Sequence, residues 1–212
     1  MNASDLAVIT GARRRAVADL FAGMMVTRPL NNFVRVTPTA RAATPFGYGA
    51  STSRFSPLRA SLTPTPPFGV IYGAMELATA CYEAIIRDSF DIQANRVLRK
   101  KTYNTQSAVN FSTAPGQALN LLDLTGGAAA KHGVPMDVIR YSDHEAGQYF
   151  SELVHSGLVD IDGLLYASRF TEGLCVVVYN RGIAKLVSPN PAVALKKSLL
   201  APTMAPWNIA TR

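Results

Sequence analysis

The stretch FGVIYGAMELATACYEAIIRD, Phe68 to Asp88, decides how the rest of the chain is read. It opens with a short apolar run, Val70-Ile71-Tyr72, crosses a break of small residues at Gly73-Ala74, and continues with Leu77, Ala78, Cys81 and Ile85 at helical spacing. That order is a strand feeding a helix. With the helix starting near Met75, Leu77, Cys81 and Ile85 form its core stripe, while Glu76, Thr79, Ala80, Glu83 and Arg87 fall on the other side. Glu83 then has two uses. Its carboxylate either sits over the C-terminal end of the strand beside the ring of Tyr72, where strand-to-helix junctions commonly build sites, or pairs with Arg87 one turn on along a solvated face.

Composition narrows the class. A chain of 212 residues suits one domain with an appendage, and at 48% hydrophobic and 17% charged residues it can bury a core, which excludes a disordered tail. The longest apolar run, Leu174 to Tyr179, falls well short of the roughly 20 residues a membrane-spanning helix needs. Arg13-Arg14-Arg15 interrupts the apolar core a signal peptide would have, so the expectation is a soluble chain in the cytoplasm with no membrane partner. Cys81 and Cys175 lie in apolar runs and read as buried thiols, and no His/Cys cluster has ligand spacing, so no metal is expected. The net charge of +7 suits an anionic partner. The basic residues are scattered, however, apart from Arg13 to Arg15 and Arg96 to Lys101, and neither cluster is interleaved with aromatics. Both read as solvated faces, and direct nucleic-acid binding is not expected.

In chain order, residues 1–30 read as an N-terminal helical extension, carried by Leu6, Ile9, Val17, Leu20, Phe21 and Met24 and ended by Pro29. Residues 31–190 form the domain proper and 191–212 a Pro- and Ala-rich tail with a brief helix over Val193 to Leu200. Within the domain, Phe33 to Val36 is a strand, Thr37 to Pro67 a long loop containing Arg54, and short strands follow near Val97-Leu98 and Ala108 to Phe111. Ala118 to Leu124 is a further strand, and Ala128 to His132 a short helix stopping at Gly133. A helix opens with a capping box at Ser142 to Glu145 and runs to Gly157, and Gly163 to Ala167 and Leu174 to Tyr179 are strands. Short strands with helices inserted make an α+β fold with small mixed sheets, not a doubly wound one. His132, His144 and His155 read as surface or capping histidines.

The chemistry lies in a combination. Arg35 ends a strand, Arg54 follows in the loop, Tyr72 ends the next strand, Glu83 comes eleven positions later on the helix, and Ser168 closes a late strand within Leu165-Tyr166-Ala167-Ser168-Arg169. Together with Asp123-Leu124-Thr125 at a strand end, this order resembles the RES domain family over roughly Phe33 to Arg181. The resemblance implies a fold like the ADP-ribosyltransferases and the toxin of a toxin–antitoxin pair, held in check by an Xre-like helix-turn-helix antitoxin. It implies an enzyme that breaks NAD at its nicotinamide–ribose bond, with phosphate or water as acceptor, NAD being substrate and no cofactor being needed. Three departures stand out: Thr52-Ser53-Arg54-Phe55 replaces the usual Gly-Gly-Arg-Trp, the loop from Arg54 to Tyr72 carries extra residues including Pro64, Pro66 and Pro67, and about thirty residues precede Phe33. The last suits an added helix supporting a homodimer contact.

On this reading Arg35 and Arg54 clamp the pyrophosphate, since guanidinium forks hold phosphate oxygens in pairs. Glu83 stabilises the positive charge that develops on the ribose as the glycosidic bond breaks. Tyr72 stacks on the nicotinamide, and Ser168 donates to the amide, ribose or phosphate without acting as nucleophile, since no base is recognisable beside it. Taken singly, each also suits a structural role: Arg35 and Arg54 on the surface, Tyr72 as a core ring, Ser168 in a turn. Two other activities share these features, transfer of ADP-ribose to a macromolecule and noncatalytic binding of an anionic partner.

Overall fold

The computed structural model describes residues 17–49, 51–58, 66–90 and 95–212. Much of the expected N-terminal helix, and the Arg13 to Arg15 cluster, lie outside the described residues. The chain is helical over residues 17–21, makes a 3-10 turn at Ala22–Met24, and then enters a strand. That strand, β1 (Met25–Arg28), corrects the end of the expected helical extension, because Met25 to Arg28 pair with Leu119 to Leu122 at a sheet edge.

The other strands are β2 (Phe33–Pro38), β3 (Val70–Ala74), β4 (Val97–Leu98), β5 (Gln106–Thr113), β6 (Leu119–Asp123), β7 (Gly163–Ala167), β8 (Leu174–Tyr179), β9 (Leu186–Val187), β10 (Val193–Ala194) and β11 (Ala210–Thr211). Nine of them form one mixed sheet in the order β1-β6-β7-β8-β3-β2-β5-β10, with β9 also on β5; β4 and β11 make a separate parallel pair. The fold is therefore α+β with one large sheet, where several small ones were expected. Residues 191–212 belong to it, since β10 pairs with β5, β11 pairs with β4, and Leu200 and Met204 of the helix Lys197–Met204 are fully buried. The helix expected to begin at Val193 starts four residues later, because Val193 and Ala194 continue the sheet instead.

Alternation along the strands feeds two cores. Cys175, Val177 and Tyr179 of β8 face one with Val70, Leu122 and Leu164; Val176 and Val178 face the other with Ile71, Phe111, Leu121 and Leu165. Both faces being covered, β8 reads as an unbroken apolar run. Cys81 and Cys175 are free and buried. Among the described residues no helix is long and apolar enough to cross a membrane.

The sheet is nearly divided. β2 meets β3 through one residue pair, Val34 with Ala74, whereas β2 pairs with β5 over six positions and β3 with β8 over five. Over this seam lies α1 (Leu77–Cys81), followed by a π-helical turn, Tyr82–Ile86, and a 3-10 turn, Arg87–Phe90. The regular helix expected here is thus three short pieces, and its packing is two-sided: Thr79 and Ala80, assigned from spacing to the open side, are buried along with Ala78 and Cys81. The second long helix, α2 (Glu145–Gly157), starts after His144. The expected capping box does not form. Asp143 Oδ1 accepts from the Glu145 N–H at 3.1 Å in its place. At the other end Arg181 donates to the carbonyls of His155 and Leu158, closing the last turn of α2.

Close packing of β7 on β8 depends on Gly163, where a Cβ would lie 1.9 Å from the Val177 carbonyl oxygen. Backbone cannot give way as a side chain does, so Gly163→Ala is expected to destabilise the fold by about 3 kcal/mol, read from urea unfolding. A variant within about 0.5 kcal/mol of wild type would contradict this packing.

Candidate active site

Where β2 and β3 part, a cavity of about 340 Å³ opens. Arg35 and Val36 of β2, Tyr72 and Gly73 of β3, the loop around Arg54, and Glu83, Ala84 and Arg87 from the turns after α1 all border it. Four of the five residues picked from sequence therefore reach one space: Arg35, Arg54, Tyr72 and Glu83. Arg35 and Tyr72 project from within their strands, not from the ends. Ser168, the fifth, is fully buried directly after β7 and does not face the cavity. Its Oγ donates to Glu83 Oε1 at 2.6 Å and accepts from the Phe170 N–H at 3.2 Å. With its one hydroxyl proton on Glu83, Ser168 positions that carboxylate.

Glu83 is held above the usual carboxylate range, chiefly by burial, against the Ser168 hydrogen bond and the fields of Arg54, Arg169 and Arg87. The π-helical turn points Glu83 and Ala84 at the cavity while Tyr82 and Ile86 stay in the core. Such widened turns recur at functional sites because they redirect side chains without ending the helix.

Five arginines, Arg35, Arg41, Arg54, Arg87 and Arg169, share this cavity with that one carboxylate. Arg35 donates from Nη2 to the Gly47 carbonyl at 3.1 Å, but among the described residues its buried Nε and Nη1 have no partner. Burial and the neighbouring Arg41 lower its pKa to about 10, so it remains a cation at neutral pH. Arg54 donates to the Tyr141 carbonyl, and burial and Arg169 pull its pKa down. An anion entering here meets five guanidinium groups set against one carboxylate.

The loop carrying Arg54 is tied down from three sides. The Tyr72 hydroxyl, its pKa raised by burial to about 12, donates to Ser53 Oγ at 2.9 Å and accepts from the Phe55 N–H at 2.8 Å. Phe55, standing where the resemblance expects Trp, is fully buried edge-on to Tyr166 at 5.2 Å, and its carbonyl accepts from Ser151 Oγ at 2.7 Å. On α2, Gly147 leaves room for Arg54: a Cβ there would come within 2.7 Å of the Arg54 carbonyl oxygen.

Arg41, Arg87, His144, Tyr166 and Arg169 border the cavity without having been chosen from sequence. Arg87 carries a legible signal, since it lies four residues after Glu83 and shares its helix face, a spacing that equally suits an ion pair on a solvated face. Arg169 and Tyr166 flank Ser168. His144 had none, because its place depends on α2 crossing over the loop. His155 stacks on Phe68 at 4.2 Å with its pKa held at about 4 mainly by burial, and His132 contacts the Leu20 carbonyl, so these two remain structural.

The family model for the RES domain matches residues 32–198. Among solved structures, the crystal structure of the M. tuberculosis MbcT–MbcA toxin–antitoxin complex contains a chain that superposes with a TM-score of 0.65 at 18% identity, covering 89% of this chain and 97% of that one. At that identity the likeness is one of fold. None of the curated proteins matches the chain.

Two measurements test the site without reference to activity. A folded pKa above the unfolded value means that Glu83 weakens the fold as pH rises through its folded pKa. Glu83→Gln is thus expected to be more stable than wild type at pH 8, the advantage vanishing below the unfolded carboxylate range; equal stability at pH 8 would contradict the burial of the charge. Ser168→Ala removes a donor to the ionised form, and side-chain carbon NMR is expected to find Glu83 titrating at still higher pH.

Proposed function

The chain belongs to the RES domain family, and on that premise we propose that it cleaves the nicotinamide–ribose bond of NAD, with phosphate or water as the acceptor. The observation that carries this reading is a single half-buried carboxylate facing a cavity whose other charged side chains are all arginines. A dinucleotide pyrophosphate supplies negative charge to Arg35 and Arg54 beyond what Glu83 gives Arg54, through paired hydrogen bonds. Breaking the glycosidic bond sends both electrons away with neutral nicotinamide and leaves an oxocarbenium-like ribose. Glu83, once ionised and held by the Ser168 hydroxyl, is the group we assign to stabilise that positive charge. Water or phosphate then adds to the sugar carbon, and a proton is lost to solvent.

The fold supports the reading further. A sheet whose halves are joined by one residue pair, with the cavity at that seam, is compatible with the ADP-ribosyltransferase kind of architecture that we propose for it. We assign the chain the role of toxin in a toxin–antitoxin pair, which its family and its fold neighbour, solved as a toxin–antitoxin complex, support, and we propose a helix-turn-helix protein as the antitoxin.

Purified protein mixed with NAD is expected to release nicotinamide, quantified by chromatography, and Glu83→Gln to lower the rate by about 100-fold or more. Wild type as silent as the variant at every phosphate concentration would sink the proposal. ADP-ribose accumulating on a macromolecule, with little free product, would replace it by a transferase. Salt-sensitive nucleic-acid binding indifferent to Glu83 and Arg54 would replace it by a binding module.

A further inference from the structure

Charge is not spread evenly over this chain. Residues 92–122 and 173–212 hold nine of the 21 lysines and arginines and none of the 14 acids, so they carry the whole positive balance and the remainder is slightly acidic. Two of the nine have structural partners: Arg181 closes α2, and Lys185 pairs with the buried Asp162 at 2.7 Å. Taken alone, the run Arg96 to Lys101 suits a solvated face. Folding joins a second segment to it.

β4 and β11 pair in parallel, Val97 with Ala210 and Leu98 with Thr211, and the Arg212 N–H donates to the Leu98 carbonyl at 3.0 Å. The backbone stays extended at Arg99, so one step further along this register Arg99 and Arg212 lie side by side. With Val97 they border one hollow of the surface. Arg99 leads directly into the helix Lys100–Tyr103, where Tyr103 is buried and Lys100 and Lys101 are exposed. Beyond that helix the Leu195 N–H donates to the Gln106 carbonyl at 2.9 Å, which sets Lys196 and Lys197 beside the entry to β5. All six of these cations are exposed, and among the described residues none has an ion-pair partner. Like charges opposite each other on neighbouring strands destabilise a sheet, so setting Arg99 against Arg212 with no acid between them serves folding poorly.

The surroundings select the partner. Protein interfaces centre on apolar and aromatic anchors, yet none of the large apolar side chains exposed among the described residues falls within 95–106 or 195–212. Single-stranded nucleic acid needs rings on which its bases stack, and Trp207 is turned to Tyr82, with ring centroids 5.4 Å apart. Duplex DNA needs neither. It presents one phosphate per ~1.7 Å of its axis, and lysines and arginines bind it by displacing counterions.

We propose that this surface, centred on Arg99, Lys100, Lys101 and Arg212, docks on the phosphate backbone of duplex DNA. Phosphate contacts carry no base information, so no sequence preference follows. The surface makes no use of Glu83 and stands apart from the glycosidic chemistry.

The experiment titrates the purified full chain into a short fluorescein-labelled DNA duplex, read by anisotropy. With four phosphates neutralised, Kd is expected to rise about 100-fold between about 50 and 200 mM salt. Arg99→Glu with Lys100→Glu is expected to weaken binding by about 10-fold or more and to flatten the salt dependence, with nicotinamide release unchanged. Arg28→Glu with Lys131→Glu makes the same change of net charge elsewhere, Arg28 standing on β1 at the opposite edge of the sheet, and leaves binding within about twofold of wild type. No binding at the lower salt, equal losses from the two pairs, tighter binding of single-stranded DNA or duplex RNA, or displacement by polyglutamate at equal charge would each overturn the proposal. Such binding alongside nicotinamide release adds a surface to the enzyme; binding without release keeps this surface and removes the glycosidic reading.

Discussion

The site depends on the parting of β2 from β3. A single residue pair, Val34 with Ala74, joins two half-sheets that are otherwise well paired internally. A continuous ladder would have closed the space now bordered by Arg35, Tyr72 and Gly73. Glu83 and Ala84 of the π-helical turn that extends α1 border the space as well. The site is thus an interruption in regular pairing, held open by two cores that lie on opposite faces of the sheet.

Electrostatics follow from that geometry. Burying Glu83 penalises its charged form, and three arginines and one hydroxyl offset part of the penalty. Crowding arginines around one carboxylate depresses Arg35 and Arg54 in turn, since each is partly desolvated and each feels another cation. The result is a space short of negative charge in which one acid group is fixed in place. A fold selected for stability alone would not gather these groups, because each is less costly in water.

Distant segments cooperate to keep the arginines aimed. Tyr72 from the sheet, Ser151 and Gly147 from α2, and His144 at the start of α2 all act on residues 52–56. Serine hydroxyls at Ser51, Ser53 and Ser56 bind one another within that loop, supplying the turn contacts that small glycines do not. Phe55 fills the aromatic role expected of Trp, so the loop's departure from the family pattern leaves its anchor intact.

Sequence by itself determined the strands Gly163–Ala167 and Leu174–Tyr179 to the residue, the end of α2 at Gly157, and the buried thiols, because each is written in local apolar runs and glycine breaks. It also determined, through the order of Arg35, Arg54, Tyr72, Glu83 and Ser168, which residues to examine together. Tertiary structure alone decided the rest. β1 emerged from an apparent helix because Met25 to Arg28 found a partner strand ninety or so residues away, and Thr79 was buried on a supposedly open face because Thr171 and the C-terminal helix pack there. Ser168 met Glu83 through its hydroxyl, and His144 joined the cavity, since spacing along one element says nothing about what a second element brings across it. Periodicity reports which side of a segment avoids water; only packing reports what lies on that side.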